Sequence, residues 1–263
     1  MGHSLLCIEN LTIGCKQKNI ITDFSLTLAP HEIVGIVGAS GSGKSTVLLA
    51  ALGIMHTDCQ VRHGRILYKG QSIFDLNPEQ LRKVRGTKMG MIFQDSKSSF
   101  CPVRTIGEQL YESLQQHEDV SKQAALTKAI AIMKKLHFQD YQRILSSYPF
   151  ELSGGMNQRI GIVQALLLKP EIILADEPTA NLDATVQMSV LRELKYLQEE
   201  EAAAILLVSH NIGVVAYMAD RLVVMHEGKI VEVGSTSNIL SNPQQEYTKK
   251  LIRALPRLKR GSI

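Results

Sequence analysis

The sequence has no apolar run that approaches the roughly 18 residues needed for a membrane-spanning helix. Residues 1–4 also lack a positively charged stretch followed by an apolar one, which is the pattern of a secretory signal. We therefore expect a chain that neither crosses a membrane nor is secreted. With 263 residues, 44% of them hydrophobic, it can still bury a sizeable core, either as one large α/β domain or as two small lobes.

The sequence has few cysteines and a small net charge. The four cysteines contain no Cys-x-x-Cys pair, which argues against a metal or disulfide framework and fits a reducing cytosol. The 29 basic and 25 acidic residues leave a charge of only +4, which is too small to indicate a nucleic-acid partner. Four basic residues near the end of the sequence predict a solvated tail, and they would also suit an anionic membrane surface, namely Arg253, Arg257, Lys259 and Arg260.

A glycine-rich run directly follows the apolar stretch at residues 33–37, which predicts a buried strand that opens into a loop and then a helix. Glycines let several backbone N–H groups turn toward a phosphate, while Lys44 can reach the β- and γ-phosphates and the Ser45 hydroxyl can bind Mg²⁺. The N-terminus of the following helix carries a partial positive charge, which also favours binding of a phosphate. The alternative is a glycine turn that binds nothing. The predicted phosphate-binding residues are Gly38, Ala39, Ser40, Gly41, Ser42, Gly43, Lys44, Ser45 and Thr46.

A second apolar run, at residues 172–175, ends in the carboxylates Asp176 and Glu177. Such a run is typical of a strand covered on both faces, and ligands of open parallel sheets bind at the carboxyl ends of the strands. We predict that Asp176 completes a Mg²⁺ site and that Glu177 polarises the water that attacks the γ-phosphate. The alternative is a surface turn before Pro178.

Residues 152–159 lie between these motifs and contain the turn Ser153, Gly154 and Gly155. The serine hydroxyl is a donor, the glycines permit close backbone approach, and a following helix supplies its dipole. On these residues the chain resembles the ATPase subunits of ABC transporters. The resemblance implies that this turn binds the γ-phosphate of ATP held by a second subunit, so that each site of a homodimer or heterodimer needs both chains.

Three further segments match the same family in the same order. Gln94 resembles the glutamine that contacts Mg²⁺ and the attacking water and reports the nucleotide state to a membrane partner. Residues 180–183 resemble the loop that crosses the dimer interface, and His210 resembles the switch histidine that contacts the γ-phosphate. The chain departs from the family in having no aromatic ring for adenine stacking at residues 11–16, and in having Asn211 where aspartate is common.

The resemblance covers residues from about 5 to about 234. It implies an α/β fold in which a P-loop NTPase (RecA-like) core carries an antiparallel β subdomain and a helical insert, the ABC ATPase fold. Strands and turns dominate before residue 95, and from there to about residue 152 apolar residues recur at helical spacing, namely Leu126, Ile130, Met133 and Leu136. A hairpin is predicted around Glu227 and Gly228.

We predict a single domain over residues 1–263, divided into three parts. The nucleotide-binding core comprises 1–94 and 156–235, the helical subdomain 95–155, and the C-terminal tail 236–263. The predicted catalytic residues are Lys44, Gln94, Glu177 and His210, and the predicted Mg²⁺ ligands are Ser45, Gln94 and Asp176. The residues predicted to contact ATP across the dimer are Ser153, Gly154 and Gly155.

The resemblance implies an ATPase that uses ATP and Mg²⁺ as a peripheral subunit on the cytoplasmic face of the inner membrane. Its implied partners are two transmembrane permease subunits, an extracytoplasmic substrate-binding protein and a second ATPase subunit, with no nucleic acid. One alternative is a soluble ABC ATPase acting on DNA or ribosomes, which usually has two ATPase units or a coiled-coil insert. Another is a P-loop kinase or GTPase, which gives no reason for the Ser-Gly-Gly turn.

The sequence features that indicate the imported substrate do not themselves contact that substrate. Met156, the segment at residues 148–151 and the tail at residues 242–248 resemble the peptide and nickel importer group. Oligopeptide-type relatives commonly extend further and often carry cysteines there, whereas this sequence ends 15 residues after Thr248. We therefore favour nickel or a metal chelate over di- or oligopeptides as the imported substrate.

Overall fold

The computed structural model describes residues 4–180 and 182–254, so that Asn181 and the tail residues Arg257, Lys259 and Arg260 lie outside it. The strands are β1 (Leu6–Cys15), β2 (Lys18–Leu28), β3 (Ile33–Val37), β4 (Cys59–Tyr68), β5 (Gln71–Ser72), β6 (Met89–Ile92), β7 (Ile172–Asp176), β8 (Ala204–Ser209), β9 (Arg221–His226) and β10 (Lys229–Ser235). The α-helices are α1 (Lys44–Ala51), α2 (Pro78–Thr87), α3 (Ser96–Ser99), α4 (Ile106–Gln115), α5 (Lys122–Lys135), α6 (Tyr141–Ser146), α7 (Gly154–Leu166), α8 (Ala184–Glu201), α9 (Ile212–Met218), α10 (Thr236–Ser241) and α11 (Glu246–Arg253).

The larger sheet has six strands in the order β10, β9, β3, β8, β7, β6. Its neighbours are parallel except for β9 and β10, which form the predicted hairpin. Glu227 and Gly228 both have positive φ angles, as a tight two-residue turn requires. Every residue of β3, β7 and β8 is buried, because these strands are covered on both faces.

The smaller sheet is antiparallel and has the order β2, β1, β4, β5. Its inward side chains, such as Phe24 and Ile66, belong to one hydrophobic cluster with Val34 of the larger sheet and Leu48 of α1. The two sheets therefore share a continuous core. This arrangement is the antiparallel β subdomain predicted beside the nucleotide-binding core.

Cys15 and Cys59 are joined by a disulfide, so the expectation of no disulfide was wrong. Strands β1 and β4 pair with these two residues directly opposite each other, and their Cα atoms are 4.1 Å apart. The residues are 44 positions apart in sequence, so that only the strand register brings them together. Cys7 and Cys101 remain free thiols.

Helices α3 to α7 occupy the sequence between β6 and β7. In α5 the predicted apolar face is confirmed, because Met133 and Leu136 are buried while Leu126 and Ile130 pack half-buried against the same cluster. Within the described residues, none of the helices combines the length and apolar character that a membrane crossing would need.

Helix α2 interrupts the region that the sequence analysis assigned to strands and turns. Its start is fixed by reciprocal bonds: Gln80 N–H donates to the Asn77 side chain at 2.9 Å, and Asn77 N–H donates to the Gln80 side chain at 3.0 Å. Pro78 occupies the first turn, where its missing N–H costs nothing. The sequence Asn-Pro-Glu-Gln carries this helix-start signal, so the assignment of the whole region to strands and turns was wrong at α2.

Candidate functional site

The predicted site residues meet at the carboxyl edge of the larger sheet. The phosphate loop follows β3, Gln94 follows β6, Glu177 follows β7 and His210 follows β8. Because these strands are parallel and adjacent in the sheet, the four segments end side by side. They border a cavity of about 560 Å³, which is lined by Ile20, Ser40, Gly41, Gly43, Lys44, Ser45, Thr46, Gln94, Glu177 and His210.

The phosphate loop has the backbone conformation that its glycines predict. Gly41 and Gly43 have φ angles of 79° and 94°, in the region that favours glycine. A side chain at Gly43 would also place its Cβ 2.4 Å from Ile21 Cδ1 of β2. The loop therefore needs glycine at Gly43 both for its conformation and for its close approach to the antiparallel sheet.

Lys44 begins α1 with its side chain buried inside the loop. Its Nζ donates hydrogen bonds to the carbonyl oxygens of Gly38 at 2.9 Å and Ala39 at 2.8 Å. Burial lowers the pKa of Lys44, while the charges of Glu177 and Asp176 act in the opposite direction. The loop thus holds an ammonium group against its own backbone at the edge of the cavity, where an anion can bind.

Ser45 and Asp176 form a second polar pair at this edge. The Ser45 Oγ donates a hydrogen bond to Asp176 Oδ1 at 2.9 Å, and the carboxylate is almost fully buried at the end of β7. Burial raises the pKa of Asp176, and the bond from Ser45 opposes this effect. A hydroxyl and a carboxylate oxygen, with the Gln94 amide bordering the same cavity, are the oxygen ligands that Mg²⁺ prefers. The residues present therefore fit a magnesium ion.

Glu177 and His210 form a third pair. Glu177 Oε2 lies 2.7 Å from His210 Nδ1; 14% of the Glu177 side chain and 60% of the His210 side chain are exposed. The Glu177 backbone has a φ of 44°, and its N–H donates to Val208 O at 2.9 Å. This left-handed conformation is uncommon for a residue other than glycine. It turns the chain out of β7 while the carboxylate stays at the cavity.

The Ser153, Gly154 and Gly155 turn lies apart from this cavity. Ser153 caps the N-terminus of α7, its Oγ accepting the Met156 N–H at 3.2 Å. A Cβ added at Gly154 would meet no atom within 4 Å, so the helix start faces open space. Within one chain the structure does not bring this turn to the phosphate loop.

Two other motif residues act as helix caps. The Asp183 carboxylate accepts the N–H groups of Thr185 at 3.1 Å and Val186 at 3.0 Å at the start of α8. Asn211 accepts the Gly213 N–H at 2.9 Å at the start of α9. The side-chain oxygen of Asn211 thus performs a capping role for which an aspartate is also suited.

Sequence reasoning missed two buried amides on α7. Gln158 Nε2 donates to Phe93 O at 3.0 Å, and its Oε1 accepts the Ser96 N–H at 3.4 Å, which ties α7 to both sides of Gln94. Asn157 is completely buried and its Nδ2 donates to three backbone oxygens before and at the start of α7, those of Pro149, Leu152 and Ser153. The sequence signal for these contacts was the adjacent pair Asn157 and Gln158 in a helix with many apolar residues, because polar groups that are buried need hydrogen-bond partners.

The cavity is lined by no Phe, Tyr or Trp side chain of the described residues. Among the lining residues in the described part of the chain, the imidazole of His210 is the one aromatic ring and Ile20 is the one large apolar side chain. Cys15, in the segment at residues 11–16 that has no aromatic ring, lies in the disulfide.

Residues 21–180 match the family model described as ABC transporter. The glutathione import ATP-binding protein GsiA of Escherichia coli K12 is 38% identical over 265 residues, which cover 97% of this chain and 42% of GsiA. The probable peptide ABC transporter ATP-binding protein y4tR of Sinorhizobium fredii is 39% identical over 231 residues, covering 88% of this chain and 69% of y4tR. This chain thus spans less than half of the length of GsiA.

Among solved structures, the fold matches the dimeric post-hydrolysis state of the ATP-binding cassette MJ0796 bound to ADP and Pi. The TM-score is 0.77 at 26% sequence identity, and the match covers 88% of this chain and 98% of that one. The predicted ABC ATPase fold is therefore confirmed.

Proposed function

This chain belongs to the ABC transporter family, and we propose that it is the ATP-hydrolysing subunit of a membrane importer. Its proposed partners are two transmembrane permease subunits, a second ATPase subunit and, through the assembled complex, an extracytoplasmic substrate-binding protein. It would act at the cytoplasmic face of the inner membrane. One relative is named for glutathione import and another for peptide transport, which favours this proposal over an ATPase that acts on DNA or ribosomes.

The observation that supports ATP hydrolysis best is the meeting of two polar pairs at one cavity. Ser45 Oγ is 2.9 Å from Asp176 Oδ1, and Glu177 Oε2 is 2.7 Å from His210 Nδ1. The first pair consists of hard oxygen ligands, and the second is a carboxylate oriented by an imidazole. Together with the buried Lys44 ammonium, they provide an anion site and a proton acceptor in one place.

In the proposed reaction the phosphate loop and Lys44 bind the β- and γ-phosphates and stabilise their charge. Ser45, Gln94 and Asp176 would hold Mg²⁺, which neutralises charge on the phosphate oxygens when bound. Glu177 accepts the proton of the attacking water, and His210 keeps that carboxylate directed at the cavity.

The site is proposed to be completed by a second subunit. Ser153, Gly154 and Gly155 would donate hydrogen bonds to the γ-phosphate held by the opposite chain, where the positive end of α7 favours an anion. The open space at Gly154 supports this role, since a Cβ placed there would meet no atom of its own chain within 4 Å. The related cassette MJ0796 is described as a dimer.

We propose a small peptide as the imported substrate, because the relatives reported above are named for glutathione and for peptide. The sequence-based preference for nickel remains a prediction that these names do not support. We also propose the division into a core at 1–94 and 156–235, a helical subdomain at 95–155 and a tail at 236–263.

The ATPase proposal is tested with the protein alone and with its co-expressed membrane subunits, by phosphate release. We expect low activity alone and higher activity in the complex, because each site needs two aligned chains. Full activity of a monomer at high dilution, checked by light scattering, would contradict the shared site.

The cargo proposal is tested by deleting the gene and measuring uptake of labelled glutathione, a labelled dipeptide and nickel. Loss of peptide uptake with unchanged cellular nickel, restored by the wild-type gene and not by Lys44→Ala, supports the proposal. Loss of nickel uptake alone would overturn it in favour of the metal.

A further inference from the structure

The tail motif at residues 242–248 is a sequence feature that the proposed function leaves unexplained. It includes Tyr247, which lies in the first turn of α11. The backbone N–H of Ala39 donates a hydrogen bond to the Tyr247 hydroxyl oxygen at 3.0 Å, across a sequence separation of 208 residues. The motif therefore contacts the phosphate loop directly.

The N–H in this contact belongs to the peptide bond between Gly38 and Ala39. The carbonyl oxygen of the same peptide bond, Gly38 O, accepts a hydrogen bond from Lys44 Nζ at 2.9 Å. Because a peptide bond is planar, its N–H and C=O groups turn together. A bond at the N–H thus restricts the orientation of the carbonyl that anchors Lys44.

The Tyr247 ring is itself held firmly. It stacks on the His226 ring at the end of β9, with centroids 4.1 Å apart and an interplanar angle of 26°. Glu232 of β10 accepts the N–H groups of Gln244 at 2.8 Å and Gln245 at 3.1 Å, which fixes the chain entering α11. The hydroxyl is therefore presented to the loop from the edge of the larger sheet.

The loop leaves little room to move away from this contact. A Cβ added at Gly38 would lie 2.2 Å from the carbonyl oxygen of Met225, the residue before His226. The Gly38 backbone is therefore packed against the end of β9, which also carries the ring on which Tyr247 rests. A hydrogen bond, a ring stack and close backbone packing thus connect α11, the end of β9 and the phosphate loop.

We propose that Tyr247 is a positioning residue of the phosphate loop, which acts on Lys44 through the peptide bond between Gly38 and Ala39. The inference rests on the proposed nucleotide binding by this loop. Tyr247 tightens the binding of the phosphates without touching them, because it holds the loop in the conformation in which Lys44 is anchored.

The test is Tyr247→Phe, which removes the hydroxyl and keeps the ring on His226. From the net worth of one neutral hydrogen bond we expect the Kd for Mg-ATP, measured with a fluorescent analogue, to rise about 2- to 10-fold. The kcat at saturating ATP should change by less than about twofold, because the residues at the attacking water are untouched. Tyr217→Phe, which removes a part-exposed hydroxyl on α9, is the matched control and should leave the Kd unchanged.

Hydrogen exchange of the Ala39 amide gives an independent readout. We expect slow exchange in the wild type and faster exchange in Tyr247→Phe, with exchange in Tyr217→Phe as in the wild type. An unprotected Ala39 amide in the wild type overturns the inference even if the variant fails to fold. So does a folded Tyr247→Phe protein with the wild-type Kd.

The same experiment separates this inference from the proposed function. If the wild type binds Mg-ATP, Lys44→Ala binds it at least about tenfold more weakly, and Tyr247→Phe equals the wild type, then only the positioning role is lost. If the wild type binds no Mg-ATP, both the proposed function and this inference are overturned.

Discussion

Replacing Glu177 by glutamine is the sharpest test of the candidate site. The substitution keeps the shape of the side chain, and an amide can still pair with His210 Nδ1 across the present 2.7 Å, with either ring tautomer. What it removes is the proton-accepting carboxylate. We therefore expect the protein to fold and bind ATP normally but to lose general-base catalysis.

The expected loss follows from this single role. General-base catalysis by a positioned side chain contributes roughly 10²- to 10⁴-fold, so kcat should fall by that factor, about 3–5 kcal/mol in activation free energy. ATP affinity should be kept or increased, because Lys44, Ser45 and the loop are unchanged and one negative charge near the phosphates is gone. The variant should therefore accumulate as an ATP-bound dimer.

The assay combines phosphate release with size-exclusion chromatography in the presence of Mg-ATP. Glu227→Gln, at the exposed turn between β9 and β10, is the control for the same change of side chain and should behave as the wild type. His210→Ala combined with Glu177→Gln should lose little more than Glu177→Gln alone, since residues that act as a unit are not additive. Turnover by Glu177→Gln at the wild-type rate would refute the assigned role.

Three further outcomes follow from the described contacts. Lys44→Ala should weaken ATP binding about 10- to 100-fold in a fluorescence titration, because it removes a charged donor of hydrogen bonds; unchanged affinity would contradict the phosphate-loop assignment. Asn157→Ala should lower the free energy of unfolding by about 1–3 kcal/mol in urea, since three backbone oxygens at the start of α7 lose a buried donor; wild-type stability would show that those oxygens find other partners. ATP and GTP should bind within about tenfold of each other, because a stacking platform worth roughly 1–3 kcal/mol is lacking; a large preference for ATP would mean that another group reads the adenine.

The sequence predicts the site well where chemistry and local geometry coincide. The glycines of the phosphate loop, the buried strands and the carboxylates after β7 are all local signals, and parallel strands then necessarily bring their ends together. Contacts between distant segments escaped prediction for a different reason. The Cys15–Cys59 pair, the bond from Ala39 to Tyr247 and the bonds of Gln158 depend on strand register and helix packing, which no short stretch of sequence encodes.

Gln158 of α7 connects the segment around Gln94 to the helix that begins at the Ser153 turn. Gln94 borders the cavity at the sheet edge, and Phe93 O and Ser96 N, on either side of it in sequence, are hydrogen-bonded to Gln158. Ser96 also lies so close to α7 that a Cβ at Gly161 would be 2.4 Å from its Oγ. Since α7 begins at the turn that starts with Ser153, a displacement of the backbone at residues 93–96 would either break these contacts or move α7 with it. The segment that carries Gln94 is thus hydrogen-bonded to α7, and the start of α7 is proposed to face the nucleotide of a second chain.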